Sequence, residues 1–279
     1  MTAPVQRRRA MLFVGALVLE GLEATLRSGA DLAVVDLEDA VPPGRKREAR
    51  EAALRAGAQA RVPQGVQLMA RVNAMNEPDG AEDLHALLRE GPAFRGVMLP
   101  KVNGPDEVRA AGDLVDAARA DVDLYAIIET AEGLERCGEI AQAHPRLQAL
   151  VFGGFDLSAA LGCEMAWEPL LYARSRVVHA AALGRVEVID SPYPDVADVD
   201  GLRENCARVR ALGMTGKAAK HASQVATILG AFTPSAAEVA RAKAIVALYE
   251  ADPTRPLVHE GKLVELPTVK RMQRIAAGA

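Results

Sequence analysis

Short apolar runs recur along the whole chain, separated by stretches whose apolar residues have three- and four-residue spacing. Continuous apolar runs are typical of strands that are buried on both faces, and the spacing between them predicts amphipathic helices. The strand-like runs are Met11–Val14, Leu32–Leu37, Gln67–Val72, Gly96–Lys101, Leu124–Thr130, Leu150–Asp156, Val186–Asp190 and Gly216–Lys220. The predicted helices are Arg45–Gly57, Ala81–Arg89, Pro105–Arg119, Glu132–Ala143, Glu168–Leu183, Val199–Leu212 and Ala236–Tyr249.

The alternation of strands with helices predicts an α/β fold with parallel pairing and right-handed crossovers. Eight strands close a barrel, which typically needs about 250 residues, and the chain has 279. An open doubly wound sheet is the alternative, but no G-x-G-x-x-G follows the first strand and no P-loop is present. We therefore predict a (β/α)8 TIM barrel over residues 1–233. Residues 234–279 are predicted to form a C-terminal helical extension or lid, with a proline-rich link at Asp252–Pro256 and no need for a strand in the tail.

Composition and charge narrow the class of protein. Half of the residues are hydrophobic and the net charge is −4 with both signs interspersed, which argues against disorder and against nucleic-acid binding. The cysteines are scattered without a C-x-x-C pair, which favours a reduced, cytoplasmic protein. They are Cys137, Cys163 and Cys206.

The N-terminus imitates a signal peptide, since Arg7–Arg9 precedes an apolar run. Glu20 and Glu23, however, stand where a small-residue cleavage site would be expected. The run is also too short to span a bilayer. We interpret it as the first strand and expect no membrane partner.

Two neighbouring strand-like runs each end in a carboxylate, Glu129 and Asp156. The carboxyl ends of parallel strands are where active sites gather in barrels and open α/β sheets. Two hard oxygen ligands, with room for water and substrate, suit Mg²⁺, and Mn²⁺ is an alternative. A single carboxylate there would be read as solvated. Two on successive strands, the second behind Gly153–Gly154, favour a metal site at solvent-facing strand ends.

Other strand ends carry Glu38 and Asp39, Arg71, Lys101 and Pro192. A guanidinium among carboxylates can bind a substrate carboxylate through two parallel hydrogen bonds. The alternative for Arg71 is an internal ion pair with Glu38 or Asp39, and both interpretations could hold in the free and bound states.

A metal chelated by an oxo- or hydroxy-acid would polarise a carbonyl or stabilise an enolate. Gly-x-Ser-x-Gly is absent, and of five histidines without metal-ligand spacing only His221, at the end of the eighth strand, stands near the expected site.

Taken in order, these strand-end motifs resemble the citrate lyase β-subunit-like proteins of the HpcH/HpaI aldolase/citrate lyase family, which include malyl-CoA and citramalyl-CoA lyases. The resemblance spans nearly the whole chain. It rests on Asp36–Val41, Arg71–Asn73, Leu99–Val102, Ile128–Thr130, Gly153–Leu157 and Leu171–Arg176.

The resemblance implies a TIM barrel with Mg²⁺ on Glu129 and Asp156. It implies reversible aldol cleavage of a hydroxyacyl-CoA or a small hydroxy-acid, giving a 2-oxo acid and an acyl thioester enolate. The implied catalytic residues are Arg71, Glu38, Asp39 and Glu265. The implied substrate-binding residues are Arg71, Lys101, Gly154, Phe155 and Pro192.

In the resembling family, an acidic residue near Glu265 reaches the active site of a neighbouring subunit, which implies a homo-oligomer, a trimer or a hexamer. Three segments depart from the family pattern. They are the loop Gly15–Leu19, the motif Gly216–Gln224 and the tail motif Glu265–Pro267, where the family usually has Asp before a small residue and Pro. The motifs that carry the metal ligands are thus retained, whereas the segments expected near the thioester are altered. Two alternatives stay open: a CoA thioesterase on the same metal site, and a non-catalytic protein that binds a 2-oxo acid.

Overall fold

The computed structural model of the chain describes residues 6–253 and 257–277. The chain divides into a larger unit that ends at Phe232 and a smaller unit that begins at Thr233. Part of the predicted proline-rich link, residues 254–256, lies outside the described residues.

The larger unit is a closed barrel of parallel strands in sequence order, which confirms the predicted (β/α)8 TIM barrel. Each strand pairs with the next, and the first pairs with the last through Ala10 beside Lys217. The strands are β1 Ala10–Gly15, β2 Leu32–Asp36, β3 Gln67–Arg71, β4 Gly96–Leu99, β5 Asp123–Ile128, β6 Leu147–Phe152, β7 Glu187–Asp190 and β8 Gly216–Ala219.

Helices follow the strands around the barrel. They are α1 Leu22–Leu26, α2 Lys46–Gln59, α3 Pro78–Glu90, α4 Pro105–Ala117, α5 Ala131–Glu135, α6 Cys137–Ala141, α7 Gly154–Leu161, α8 Trp167–Gly184, α9 Val199–Leu212 and α10 Val225–Phe232. The single helix predicted over Glu132–Ala143 is wrong, because the backbone leaves the helical conformation at Arg136 and divides it into α5 and α6.

Alternate strand residues separate two layers of apolar packing, as expected of a barrel. One layer fills the barrel and includes Met69, Met98 and Tyr125. The other lies between the strands and the helices and includes Leu68 and Val97. The strands whose ends carry the polar groups are therefore packed on both faces.

A polar cluster lies at the N-terminal ends of the strands. The Tyr125 hydroxyl donates a 2.6 Å hydrogen bond to Gln67 and accepts one of 2.7 Å from Arg8 Nε. Arg8 also pairs with Asp123 at 3.2 Å. The cluster therefore lies at the end of the barrel opposite to the strand ends that carry Glu129.

The smaller unit contains α11 Ala236–Ala251, β9 Leu257–His259, β10 Lys262–Val264 and α12 Leu266–Ala277. Its helices pack through a separate apolar cluster of Ala242, Ile245, Val269 and Met272. The prediction that the tail needs no strand is wrong, because β9 and β10 form an antiparallel hairpin. Glu260 and Gly261 both have positive φ, as a two-residue type I′ turn requires. Of the helices that the structure describes, not one combines the length and hydrophobicity that crossing a membrane requires.

Candidate active site

A pocket of about 560 Å³ lies at the C-terminal ends of the barrel strands. It brings together residues from β1, β2, β3, β5, β6, β7 and β8 or from the loops that follow them. Among the lining residues are Phe13, Asp36, Asp39, Arg71, Glu129, Gly153, Gly154, Phe155, Asp156, Ser191, Pro192 and Lys220.

Arg71 is held by carboxylates at the C-terminal end of β2 and on the loop that follows it. Its Nε and Nη2 donate hydrogen bonds of 2.8 and 2.6 Å to the two oxygens of Asp36. Its Nη1 contacts Glu38 at 2.9 Å and Asp39 at 3.4 Å. Although burial alone would lower it, the bonds to Asp36 and the charges of Glu38 and Asp39 raise the pKa of Arg71. The ion pair expected as the alternative is therefore present, with Asp36 as its main and unpredicted partner.

Lys101 links this cluster to the next strand. Its Nζ donates a short hydrogen bond to Glu38 and a longer one of 3.4 Å to Asp39. Burial raises the pKa of Glu38, against the lowering effect of Arg71 and Lys101. Asp39 differs, because burial is outweighed by Arg71, Glu38 and Lys101, and its pKa is lowered. Asp39 lines the pocket, whereas Glu38 lies behind it with 4% of its surface exposed.

The backbone of Lys101 holds Glu129. The residue has a left-handed conformation, with φ of +49°, which costs energy for a side chain that bears a Cβ. In that conformation the Lys101 N–H donates a 2.8 Å hydrogen bond to Glu129 Oε1. The segment that positions the lysine side chain beside Glu38 therefore also orients the Glu129 carboxylate.

Glu129 and Asp156 face the same pocket but differ in exposure. Glu129 is buried, with 3% of its surface exposed, which corrects the expectation of a solvent-facing residue. Burial, followed by repulsion from Asp156 and Glu38, raises the pKa of Glu129 to about 8. Asp156 is exposed and lies in the first turn of α7 rather than just past its strand, because β6 already ends at Phe152.

The turn between β6 and α7 leaves space for the Glu129 carboxylate. A Cβ on Gly153 would lie 2.6 Å from Glu129 Oε2, closer than side chains pack. Two carboxylates that repel each other beside an open pocket fit a divalent cation with hard oxygen ligands. The residues present therefore fit Mg²⁺ or Mn²⁺, with the other ligands left to water and substrate.

The remaining candidates are placed as follows. Phe155 is 41% exposed, and the Lys220 ammonium lies 5.6 Å from its ring centre. Pro192 is half-buried in the pocket wall. His221 is exposed, and its Nδ1 accepts a hydrogen bond from the backbone of Ser223, so it stabilises its own turn. Glu265 lies in the smaller unit, at the residue between β10 and α12, and is exposed.

Sequence reasoning did not assign Asp36, Phe13 or Lys220 to the pocket. Asp36 sits two residues before Glu38 on the same side of β2, and that alternation was the available signal. Phe13, whose ring lies 5.5 Å from the Arg71 guanidinium carbon, and Lys220 have no sequence signal of their own. Their positions follow from barrel closure, which pairs β1 with β8 and brings the ends of both strands to the same pocket as the ends of β3 and β6.

Comparison with known proteins identifies the relatives of the chain. The profile of the HpcH/HpaI aldolase/citrate lyase family matches residues 9–222. The L-malyl-CoA/beta-methylmalyl-CoA lyase of Rhodobacter capsulatus is 32% identical over 307 aligned positions, which cover 99% of this chain and 96% of the relative. The mitochondrial citramalyl-CoA lyase of Mus musculus is 30% identical, with 96% of this chain and 85% of the relative covered.

A solved structure of protein CitE from Mycobacterium tuberculosis, in complex with magnesium, acetoacetate and coenzyme A, superposes with a TM-score of 0.78. It is 29% identical and covers 97% of this chain and 98% of its own. The family match over most of the barrel, the full-length relatives and the shared fold confirm the resemblance read from the strand-end motifs. The chain belongs to the HpcH/HpaI aldolase/citrate lyase family.

Proposed function

We propose that the chain is a Mg²⁺-dependent carbon–carbon lyase that cleaves a hydroxyacyl-CoA thioester into a 2-oxo acid and an acyl-CoA. The observation that carries the proposal is the pair Glu129 and Asp156 in one pocket with Arg71. The named activities of the full-length relatives support a CoA-ester lyase. The magnesium in the CitE complex supports the cofactor.

Glu129 and Asp156 would hold the metal, which when bound supplies a Lewis acid for the oxygen that becomes the oxo group. Arg71 would bind the carboxylate of the substrate. Asp36 already occupies its Nε and one N–H of Nη2, and Nη1 contacts Glu38 and Asp39. The second Nη2 hydrogen is therefore the donor that can turn toward a ligand without breaking one of these contacts. Glu38 acts through Arg71 and Lys101, which it holds in position.

The proposed reaction transfers two protons and breaks one carbon–carbon bond. The hydroxyl proton of the substrate passes to a carboxylate, and the bond between the hydroxyl-bearing carbon and the thioester α-carbon breaks. Its electron pair goes to the thioester enolate, which takes up a proton at carbon. We assign proton acceptance to Asp39, because it faces the pocket and is half exposed, and proton donation to Glu265 of a neighbouring copy in a homo-oligomer.

The products decide between this reaction and the alternatives. Incubation of the Mg²⁺-loaded protein with malyl-CoA or citramalyl-CoA should yield an acyl-CoA, seen by mass spectrometry, and a 2-oxo acid, trapped as its phenylhydrazone. Asp156→Asn should abolish both products while the protein stays folded by circular dichroism. Release of free CoA thiol without a 2-oxo acid would instead identify a thioesterase. Binding of a 2-oxo acid without turnover of either thioester would identify a non-catalytic binding protein.

A further inference from the structure

A second pocket, of about 340 Å³, lies outside the barrel strands between the N-terminal end of α8 and α9. It touches the candidate active site only through Pro192, which lines both pockets. Its walls are aromatic and cationic, with Trp167, Arg174, Asn205, Arg208 and Lys217 among them. These residues take no part in the proposed reaction.

The floor of this pocket carries a charge imbalance. Asp190, which is fully buried, pairs with two cations: Arg174 Nε at 3.1 Å and Lys217 Nζ. Lys217 has a further bond, of 2.7 Å, to the Ser191 carbonyl. Arg174 is 4% exposed, and its Nη1 is buried without a hydrogen-bond partner among the described residues. One carboxylate against two buried cations leaves a positive charge and a donor that a bound anion would satisfy.

The side walls add recognition groups. Two guanidiniums lie over the Trp167 ring, with the guanidinium carbon of Arg174 at 5.2 Å and that of Arg208 at 4.3 Å from the ring centre. Arg208 is on the exposed rim, and it contacts the Glu168 carboxylate at a long distance of 3.4 Å. The Oδ1 of Asn205 is buried and also lacks a partner among the described residues, so it can accept a hydrogen bond from a hydroxyl.

From these contacts we propose that the pocket between α8 and α9 binds a small oxyanion, a phosphate or a carboxylate, that is not the substrate of the barrel site. Arg174 Nη1 and Arg208 donate to the anion, and Asn205 Oδ1 accepts from the protonated oxygen when the anion is a hydrogen phosphate. The Lys217–Asp190 pair keeps Arg174 in place. Glu204 on the exposed rim, which also lines the pocket, limits the net charge that the site can accept.

The fluorescence of Trp167 tests the proposal directly, because it is the single tryptophan of the chain. Inorganic phosphate and acetate are titrated separately into the metal-free protein at constant ionic strength, with chloride as the control salt. At least one oxyanion should change the emission in a saturable way at millimolar concentration or below, and chloride should not. The response to each tells a phosphate site from a carboxylate site.

Two variants locate the binding. Arg208→Gln and Arg174→Lys should each weaken the anion at least tenfold, the second because lysine lacks Nη1. Arg203→Gln is the matched control, since Arg203 lies on the same helix but outside the pocket and pairs with Asp200. If Arg174→Lys fails to fold, Arg208→Gln alone still decides the result. A response that is absent, does not saturate, or is equal in Arg208→Gln and Arg203→Gln would overturn the proposal and leave a pocket filled by water.

Discussion

The carboxyl group of Glu129 is buried almost completely from solvent. Its pKa of about 8 in the folded protein lies above the ordinary value of 4.5. Between these values the folded form keeps a proton that the unfolded form has lost. The metal-free barrel therefore loses stability as the pH rises through this window. Glu129→Gln should remove the loss and raise the free energy of unfolding at pH 8, by roughly a few kcal/mol, with little change at pH 4.5.

Urea denaturation in EDTA at the two pH values measures this difference. The same variant should lose the rise in melting temperature that Mg²⁺ gives the native protein, because one of two metal ligands is gone. Glu132→Gln is the control, since Glu132 is exposed and three residues away. Equal pH dependence in the wild type and Glu129→Gln would contradict the buried, protonated carboxyl.

The function of Arg71 should depend on the planar geometry of its guanidinium group more than on its positive charge. Arg71→Lys retains a cation but cannot make the two parallel bonds to Asp36, so the side chain loses its fixed orientation. We expect kcat/KM for the thioester to fall tenfold or more, about 1.4 kcal/mol. Steady-state kinetics test this. Arg45→Lys is the control, because Arg45 also pairs with a carboxylate, Glu48, but does so on the exposed surface. Unchanged kinetics would make Arg71 a structural residue only.

The sequence indicated that Glu129, Asp156 and Arg71 would meet at one end of the barrel, but it did not indicate their environments. The strand-end rule gave Glu129 and Asp156 as a pair because parallel strands deliver their carboxyl ends to one edge. It could not give the burial of Glu129, which depends on the Gly153 turn and on the Lys101 backbone from a different strand. Nor could it choose Asp36 over Glu38 as the main partner of Arg71, since both lie on the same side of β2.

At the scale of the element, the turn from β6 to α7 controls the space around Glu129. Gly153→Ala would bring a methyl group to within 2.6 Å of Glu129 Oε2 and 2.8 Å of Ile127. We expect the carboxylate to move and Mg²⁺ affinity to fall at least tenfold, measured by calorimetry. Gly138→Ala is the matched control, because its methyl group would meet only Leu183 at 3.8 Å. Equal affinity in both variants would show that the turn does not shape the metal site.

Elements with strong periodicity were predicted well, and those set by local backbone geometry were not. The eight strands were found because each buries both faces. The division at Arg136 was missed because the apolar spacing continues across it. The hairpin β9–β10 was missed because Glu260–Gly261 is a weaker turn signal than Asn-Gly, and its strands have only three residues each.

For the whole molecule, the polar cluster around Tyr125 should affect stability without affecting catalysis. Tyr125→Phe leaves Arg8 and Gln67 buried with one partner fewer, a change that costs about 1–3 kcal/mol. Because the cluster lies at the opposite end of the barrel, kcat and the affinity for Mg²⁺ should stay the same. Chemical denaturation and steady-state kinetics on Tyr125→Phe and on the exposed control Tyr172→Phe separate the two effects. A loss of turnover at full stability would contradict this separation.

The proposed role of Glu265 concerns assembly. If one copy supplies Glu265 to the barrel of another, Glu265→Gln and Glu129→Gln should each lose at least tenfold in turnover. Co-expression of the two variants should restore part of the activity, because some sites then combine an intact Glu129 with an intact Glu265. Glu250→Gln, an exposed glutamate of the same unit, serves as the control. Wild-type turnover in Glu265→Gln, or no recovery in the mixture, would rule out the role.

The pocket that holds Arg71 has more carboxylates than cations. Asp36, Asp39 and Asp156 face it together, with the Glu129 carboxyl, which keeps its proton until about pH 8, beside them. The cations that line the pocket with them are Arg71 and Lys220. Without a bound cation, these carboxylates would repel an anionic substrate that approached the pocket. The Arg71 hydrogen bonds to Asp36 would also still be in place. A divalent cation reverses that balance before any thioester arrives. The two ligands should therefore enter in a compulsory sequence, cation first and thioester second, and the products should leave before the cation does.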